Sequence, residues 1–385
     1  MSSSPSSQFF ATAPRGLEEL LSKEIQSLGA ADAAAVPGGV AFSGDWDVCY
    51  RANLWSRIAS RVLWKIDSFS YRNEQDIYAA AKALDWSQLF AVERSLRVNL
   101  TAQKSPLKSL EFATLRVKDA VCDRFRDSSG KRPTVERTAP DIRVHVFLEK
   151  DRGTLYLDTS GEPLFKRGWR AEQGEAPLRE NLAAGIVMLT GWRPGEPLLD
   201  PMCGGATLLV EAAAMARGRA PGARRSFGFE KLSNFNDSLW QKLKLEKPVE
   251  GANPILYGSD NDPRALDDAR RNLAAAGVER WVKLEQADVL ERAAPASTGV
   301  MIANPPYGER MGSLDELALF YPKLGDALKQ RFAGWRCYLF TADLRLPKLI
   351  RLSPSARTPL WNGAIECRLY EFRMVPGRPT RDSRP

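Results

Sequence analysis

The spacing of apolar residues changes character along the chain, and the changes mark its organisation. Gln8–Ala13 reads as a short strand. Leu17, Leu20, Leu21, Ile25 and Leu28 then recur at helical spacing, with Pro14 near the first turn and Gly29 as the stop. Gly39–Ser43 predicts a second strand, Trp46–Ile58 a second helix and Arg61–Ile66 a further strand. This is a small α+β unit of the split βαβ kind. Beyond it the pattern predicts a helix over Asn73–Leu84, a strand over Leu96–Thr101 and a long basic helix from about Ser109 to Arg126. Two alternating strands follow, Ile142–Leu148 and Thr154–Asp158, joined by a turn at Lys150–Gly153.

Gly161–Pro177 has the glycine, proline and charge content of a connector. After it, strands and helices alternate, which argues for a parallel sheet with crossover helices. Leu178–Thr190 is an apolar helix ending at Gly191, and Pro197–Leu199 leads into a glycine turn. Strands recur at Ile255–Ser259, Trp281–Gln286, Gly299–Ala303 and Trp335–Thr341. The best signalled helix is Asp262–Ala276, with Asp262 as N-cap, Pro263 at the first position and Gly277 past the end. Thr358–Trp361 and Ala364–Arg373 flank Asn362-Gly363, a strong hairpin signal and an unusual close for a plain dinucleotide-binding fold. The expected organisation is an α+β region over 1–66, a second over 67–160, a linker over 161–177, an α/β domain over 178–375 and a disordered tail over 376–385.

Composition narrows the class. A chain of 385 residues exceeds one compact core, and 44% hydrophobic with 26% charged residues is ordinary for a globular protein. Its 55 Lys and Arg against 47 Asp and Glu, a net charge of +8, favour a polyanionic partner, although a basic soluble protein explains the excess equally well. Lys104, Lys108, Arg116, Lys118, Arg124, Arg126, Lys131 and Arg132 concentrate in the second region, as a phosphate-tracking surface or a solvated helix face. The five cysteines are odd in number, widely spaced and form no CxxC pair, so neither a disulfide framework nor a metal site is expected. That points to a reducing, cytoplasmic setting. The N-terminus lacks a secretory apolar core and no run of 18 apolar residues occurs, so neither secretion nor membrane spanning is expected.

The chemistry gathers in two short runs. In Leu198–Glu211, LLDPMCGGATLLVE, a strand stops at Asp200, turns through Gly204-Gly205-Ala206 and opens a helix at Thr207, presenting backbone N–H groups to a nucleotide-like ligand. Asp260 follows one strand, placed for ribose hydroxyls, and Asp288 follows the next, placed for an adenine amine. Helix caps and surface acids are the structural alternative. The pattern is not GxGxxG, and Asp260 comes 60 residues after Asp200 (260 − 200) where a dinucleotide fold places its acid about 20 on. The intervening Gly218–Asn253 must then be an insertion beside the site. The second run, Asn304-Pro305-Pro306-Tyr307, follows a strand of the same sheet. Its side-chain oxygen and Pro305 carbonyl suit the N–H groups of an exocyclic amine, and Tyr307 can stack on a base. A rigid turn is the alternative. His145 reads as structural, and Cys203 lies in the cofactor turn rather than beside the base, which argues against a cysteine nucleophile.

DPMCGGATLLVEAA, GSDNDPRALDDARRN, QADVL and NPPYGER together resemble the class I S-adenosylmethionine-dependent RNA methyltransferases that modify guanine at N2. The N-terminal half resembles the THUMP RNA-binding module with its ferredoxin-like companion. With the connector Lys166–Arg170, KRGWR, the chain is similar to the bacterial L-type 23S rRNA guanine-N2 methyltransferase group over nearly its whole length. The resemblance implies a class I (Rossmann-like) methyltransferase sheet of α/β class ending in an antiparallel hairpin, preceded by ferredoxin-like and THUMP regions. It implies S-adenosylmethionine held by Asp200, Pro201, Cys203, Gly204, Gly205, Thr207, Asp260, Asn261, Asp288, Val289 and Asn304. It implies a catalytic Asn304, Pro305, Pro306 and Tyr307, and RNA held by Lys104, Lys108, Arg116, Lys118, Lys166, Arg167 and Arg170. The expected substrate is rRNA, with tRNA, adenine-N6 methylation of DNA or RNA, and a non-catalytic RNA-binding protein as the alternatives. The commoner family turn has glycine where this chain has Ala206, which demands φ below zero or strain there. A base outside a helix, single-stranded or flipped, is required.

Overall fold

The computed structural model describes residues 6–170, 178–246, 251–305 and 314–375. Pro306, Tyr307, most of the expected linker's second half (171–177) and the tail 376–385 lie outside these. The chain divides into two compact units. One comprises 1–13, 18–164 and 222–246, the other 14–17, 165–221 and 247–385. Among the described residues no helix is long and apolar enough to cross a membrane.

The first unit is built from β1 (Ser7–Thr12), α1 (Glu18–Ser27), β2 (Ala34–Val36), β3 (Gly39–Gly44), α2 (Trp46–Trp55), β4 (Arg61–Ser70), α3 (Glu74–Ala83), β5 (Leu96–Gln103), α4 (Leu110–Ser129), β6 (Ile142–Glu149) and β7 (Arg152–Asp158). Its strands form one seven-stranded sheet in the order β2-β3-β1-β4-β7-β6-β5. β4 is the join, pairing antiparallel with β1 on one side and with β7 on the other, with a register irregularity between Lys65 and Asp67. A single strand therefore runs from the ferredoxin-like part into the next. Asp158, at the end of β7, accepts from the amides of Ser160 (2.8 Å) and Gly161 (3.2 Å) and pairs with Arg61, while His145 Nε2 lies 3.4 Å from it.

The second unit contains α5 (Glu180–Leu189), β8 (Pro197–Asp200) and α6 (Thr207–Ala216). The chain then leaves it for α7 (Asp237–Leu245) and returns with β9 (Ile255–Asp260), α8 (Pro263–Ala276), β10 (Val282–Gln286), β11 (Gly299–Ala303), α9 (Leu314–Arg331), β12 (Trp335–Thr341), α10 (Leu346–Leu349), β13 (Ala356–Asn362) and β14 (Ile365–Arg373). The sheet order is β10-β9-β8-β11-β12-β14-β13, parallel except for β14, which is antiparallel to both neighbours. This is the Rossmann-like parallel sheet with the closing antiparallel hairpin that the resemblance implied. α8 has the predicted ends: the Asp262 side chain accepts from the Arg264 amide, Pro263 opens the helix and Gly277 closes it at φ 66°. One face of the sheet buries Leu199, Met301, Ala303, Leu339 and Phe372 against Leu317, Tyr321, Leu324 and Leu328 of α9.

The Gly218–Asn253 insertion is divided between the units, and its stretch 222–246 packs within the first. Its aromatic residues explain why. Phe229 is fully buried, stacks on Tyr50 of α2 at 4.3 Å and on Phe227 at 5.2 Å, and meets Trp240 edge-on at 5.1 Å. The Asn236 amide donates to the Tyr50 hydroxyl (3.0 Å), and Arg51 forms a bidentate pair with Glu246 at 2.5 and 2.7 Å. Phe229→Ala is expected to lower unfolding free energy by about 3–5 kcal/mol, the usual cost of deleting a buried ring. Urea denaturation checks this, and a loss under about 1 kcal/mol would show that the segment is not core.

Candidate active site

The strand order reverses between β8 and β11, so their carboxyl ends flank the crevice where open α/β sheets bind ligands. Val300 pairs with Leu198 and Met301 with Leu199, which puts Asp200 and Asn304 at the same edge on neighbouring strands. Asp200 pairs with Gly258 and Gln286 with Asp260, so Asp260 and Asp288 step outward along that edge.

The turn after β8 is held on every side. The Cys203 amide donates to the Ser259 carbonyl (2.9 Å), the Ala206 amide to Cys203 (2.7 Å), and Asn272 Nδ2 to the Gly205 carbonyl (2.9 Å). Gly204 donates its amide to Asp260 Oδ2 at 2.9 Å, while Asp260 Oδ1 accepts from the Asp262 amide at 3.1 Å. Each Asp260 oxygen thus has one backbone donor and retains a lone pair, a fit to two adjacent hydroxyls. Gly204 has φ 49° and an added Cβ there would meet nothing within 4 Å, leaving open space over the turn. Ala206 has φ 61° and is fully buried as the residue before α6. Of the two options left by the sequence, the chain takes the strain, at roughly 1–2 kcal/mol for a left-handed alanine.

Asp200 is 2% exposed and accepts from the Met202 amide at 3.2 Å. Burial, with the Asp260 carboxylate nearby, raises its pKa to about 8. Burial likewise pushes the Cys203 thiol far up, so it is an inert packing group here and not a nucleophile. Pro201 is buried, Asn261 is exposed and Val289 is 5% exposed. Asp288 is exposed, and its Oδ1 caps the Leu290 amide at 2.9 Å. It also borders a cavity of about 660 Å³, whose other walls include Tyr257, Lys283, Glu285 and Arg292 and none of the turn residues. Asn304 is half-buried, and its Oδ1 is a buried acceptor without a hydrogen-bond partner among the described residues. An unmet buried acceptor costs free energy unless a ligand donor meets it. Pro305 is buried beside it.

The connector departs from expectation. Arg167, read from the sequence as an RNA contact, is 4% exposed and its Nε pairs with Glu211 of α6 at 3.3 Å. Arg170 donates from Nε to Glu180 Oε1 (2.8 Å) and from an η nitrogen to Thr207 Oγ1 (2.8 Å). Both guanidiniums are committed to the base of the glycine turn, since a buried charge needs its partner, and brace α5 and α6 rather than face a polyanion. The Thr207 hydroxyl accepts from Arg170 and keeps its own hydrogen and one lone pair for a ligand. Lys166 is exposed. In the first unit Lys104 and Lys108 are exposed, Arg116 lies over the Tyr78 ring at 4.1 Å and donates to Gln75, and Lys118 pairs with Asp119 at 2.7 Å. The acids Glu180 and Glu211 were missed from the sequence. Both lie on helices flanking the turn, at positions where an apolar helix should bury no charge.

The UPF0020 family, described as the RMKL-like, methyltransferase domain, matches residues 167–371, more than half of the chain. The RlmL ferredoxin-like domain matches 8–63 and the THUMP domain 71–158. The Ribosomal RNA large subunit methyltransferase K/L of Photobacterium profundum is 38% identical over 379 residues, covering 96% of this chain and 53% of that protein. The chain thus spans about half the length of that relative. SMU.472, solved in complex with SAH, is 29% identical with a TM-score of 0.87 over 97% of this chain and 99% of its own. A predicted N6-adenine-specific DNA methylase from Listeria monocytogenes is 30% identical, TM-score 0.84, over 96% of each chain. TrmN from Thermus thermophilus, at 20% identity and TM-score 0.69 over 96% of this chain and 99% of its own, shares the fold.

Two measurements test the turn. Because the folded pKa of Asp200 is raised, folding takes up a proton between the unfolded value near 4 and about 8, and stability falls across that window. Asp200→Asn lacks this penalty while keeping the acceptor for Met202. Its stability relative to wild type is expected to climb by roughly 1.4 kcal/mol per pH unit from 4 to 8 and then level off. A pH-independent difference in thermal unfolding would show that Asp200 is not buried as an acid. At Ala206, relief of left-handed strain by glycine is offset by about 1 kcal/mol of lost methyl burial. Ala206→Gly is therefore expected to be near neutral in urea unfolding, and Ala206→Val to lose about 2 kcal/mol or more.

Proposed function

The chain belongs to the UPF0020 family of RMKL-like methyltransferase domains, and from that premise we propose that it methylates the exocyclic N2 of a guanine in large-subunit rRNA. The observation that carries the reading is the pairing, at one sheet edge, of a braced glycine turn and its carboxylates with the unmet acceptor of Asn304. S-adenosylmethionine, when bound, supplies an electrophilic methyl group on sulfur. Asp200, Pro201, Cys203, Gly204, Gly205 and Thr207 would form its methionine side, Asp260 and Asn261 its ribose contacts, and Asp288 and Val289 its adenine contacts.

The acceptor amine needs help because its lone pair is delocalised into the base. Hydrogen bonds from its two N–H groups to Asn304 Oδ1 and the Pro305 carbonyl would localise and aim it, and Tyr307 would stack on the ring. The proton then leaves to water after transfer. RNA as substrate is supported by the +8 charge, the THUMP match and the name of the Photobacterium profundum relative. A cytoplasmic setting accords with five buried cysteines, none of them bridged.

Adenine-N6 methylation is the second reading, because Asn-Pro-Pro-Tyr accepts either amine and the Listeria monocytogenes relative is predicted to act there. The full chain should be incubated with labelled donor and, separately, rRNA, tRNA and DNA, then the product digested to nucleosides. N2-methylguanosine from rRNA is expected; N6-methyladenosine would sink the guanine assignment. Asn304→Ala is expected to lower kcat at least about a hundredfold. Cofactor Kd by calorimetry should stay within a few fold, and equal loss of both would place Asn304 on the cofactor side.

A further inference from the structure

We propose that Phe112, on the outward face of α4, is a stacking platform for an unpaired nucleotide of RNA, with Lys104 and Lys108 neutralising the adjoining phosphates. The inference rests on the RNA-binding part of the proposed function.

Helix α4 buries Ala113, Val117, Ala120, Val121 and Phe125 on one stripe. Phe112 and Leu115, three residues apart and so adjacent on the helix surface, project from the opposite side at 51% and 47% exposure. Exposed apolar residues are normal singly. Here a ring and a leucine share one face in the first turns, and two exposed lysines precede them in the chain. The Ser109 side chain caps the Phe112 amide at 3.1 Å, so the ring stands on a fixed first turn.

Charge selects the occupant. Over 104–119 there are four cations, Lys104, Lys108, Arg116 and Lys118, and two acids, Glu111 and Asp119, an excess of +2 (4 − 2). Asp119 is already paired with Lys118 at 2.7 Å, and Arg116 lies over Tyr78, which leaves Glu111 as the exposed acid beside the ring. An exposed phenyl face in a segment of net positive charge, preceded by two exposed lysines, fits RNA better than an apolar protein partner. It fits an unpaired nucleotide better than a duplex, because a duplex keeps its base faces stacked inside.

The test measures binding of the full chain, without methyl donor, to a labelled single-stranded oligoadenylate and to a blunt RNA duplex of the same length, by fluorescence anisotropy over a salt series. Phe112→Ala should weaken single-strand binding about tenfold, with the salt slope and duplex binding unchanged. Phe112→Trp should restore it. The double substitution Lys104→Ala, Lys108→Ala should instead reduce the single-strand salt slope by about 1.4, two phosphate contacts' worth. Binding of Phe112→Ala within about twofold of wild type, equal loss on both RNAs, or a tryptophan variant as weak as the alanine one would overturn the proposal. So would a wild-type dimer in sedimentation that Phe112→Ala dissolves, since the patch would then join two copies of the chain. No methyl transfer enters the measurement, so it stands or falls separately from the identity of the modified base.

Discussion

The hydrogen bond from the Gly204 amide to Asp260 ties the end of one strand to the turn after its neighbour, and the site depends on that tie. A carboxylate is an acceptor-only group, so it can hold a turn amide and still offer lone pairs outward. Holding Gly204 fixes the backbone through Gly205, pinned by Asn272, to the left-handed Ala206, from which α6 departs. The direction of α6 in turn sets Glu211 against Arg167 and Thr207 against Arg170. Disturbing the turn therefore disturbs a buried ion pair several residues away. The coupling also runs backward, because an unpaired Glu211 in that apolar setting would cost more than the turn itself stores.

What could be read from the sequence, and what could not, follows from the range of the forces involved. The caps of α8 are local: Asp262, Pro263 and Gly277 each act on backbone within a turn of themselves, and the helix begins and ends where they dictate. The strand ends bearing Asp200, Asp260 and Asp288 are nearly as local, since each is a short apolar run stopped by an acid. β2 was invisible because three residues, two of them alanine, carry no period. The packing of 222–246 was hidden for a different reason. Its position in the chain says nothing of the core it joins, and Phe227, Phe229, Phe235 and Trp240 are too much aromatic surface for a loop and needed one to enter. The connector failed in the opposite way: KRGWR looks like a solvated basic patch until Glu180 and Glu211 are seen facing it, and no local rule pairs residues over 40 apart, as Arg167 and Glu211 are (211 − 167 = 44).

The chemistry of the proposed reaction places different demands on the two sides of the crevice. On the cofactor side, backbone amides and carboxylates are already bonded among themselves, so binding exchanges little and the site is formed in advance. On the acceptor side, Asn304 Oδ1 is unmet among the described residues, a small store of unfavourable free energy released when a donor arrives. An amine bound there is thus favoured over any group that cannot donate. Water can donate as well, so the discrimination must come from the base ring packed beside Pro305.

That same argument limits what the motif can decide. Guanine N2 and adenine N6 each offer two N–H groups, and an amide oxygen with a carbonyl accepts either pair equally. Discrimination has to act on the rest of the Watson–Crick edge, where guanine N1 donates and adenine N1 accepts. A site built to accept from N1–H would leave a buried acceptor facing a lone pair if adenine entered, which is worth a factor on the order of ten thousand in selectivity. β11 stands between β8, whose turn would serve the cofactor in the proposed reaction, and β12, whose carboxyl end also adjoins Asn304. Asp343, two residues past the end of β12, is held ionised by Arg345, with Nε of that arginine at 2.9 Å from Oδ1 and an η nitrogen at 2.8 Å from Oδ2. With the Arg345 amide also on Oδ1 at 2.9 Å, its capacity is largely spent within its own turn. Asp343 is thus poorly placed to read N1–H, and in the proposed reaction Asn304 would orient the amine without selecting the base.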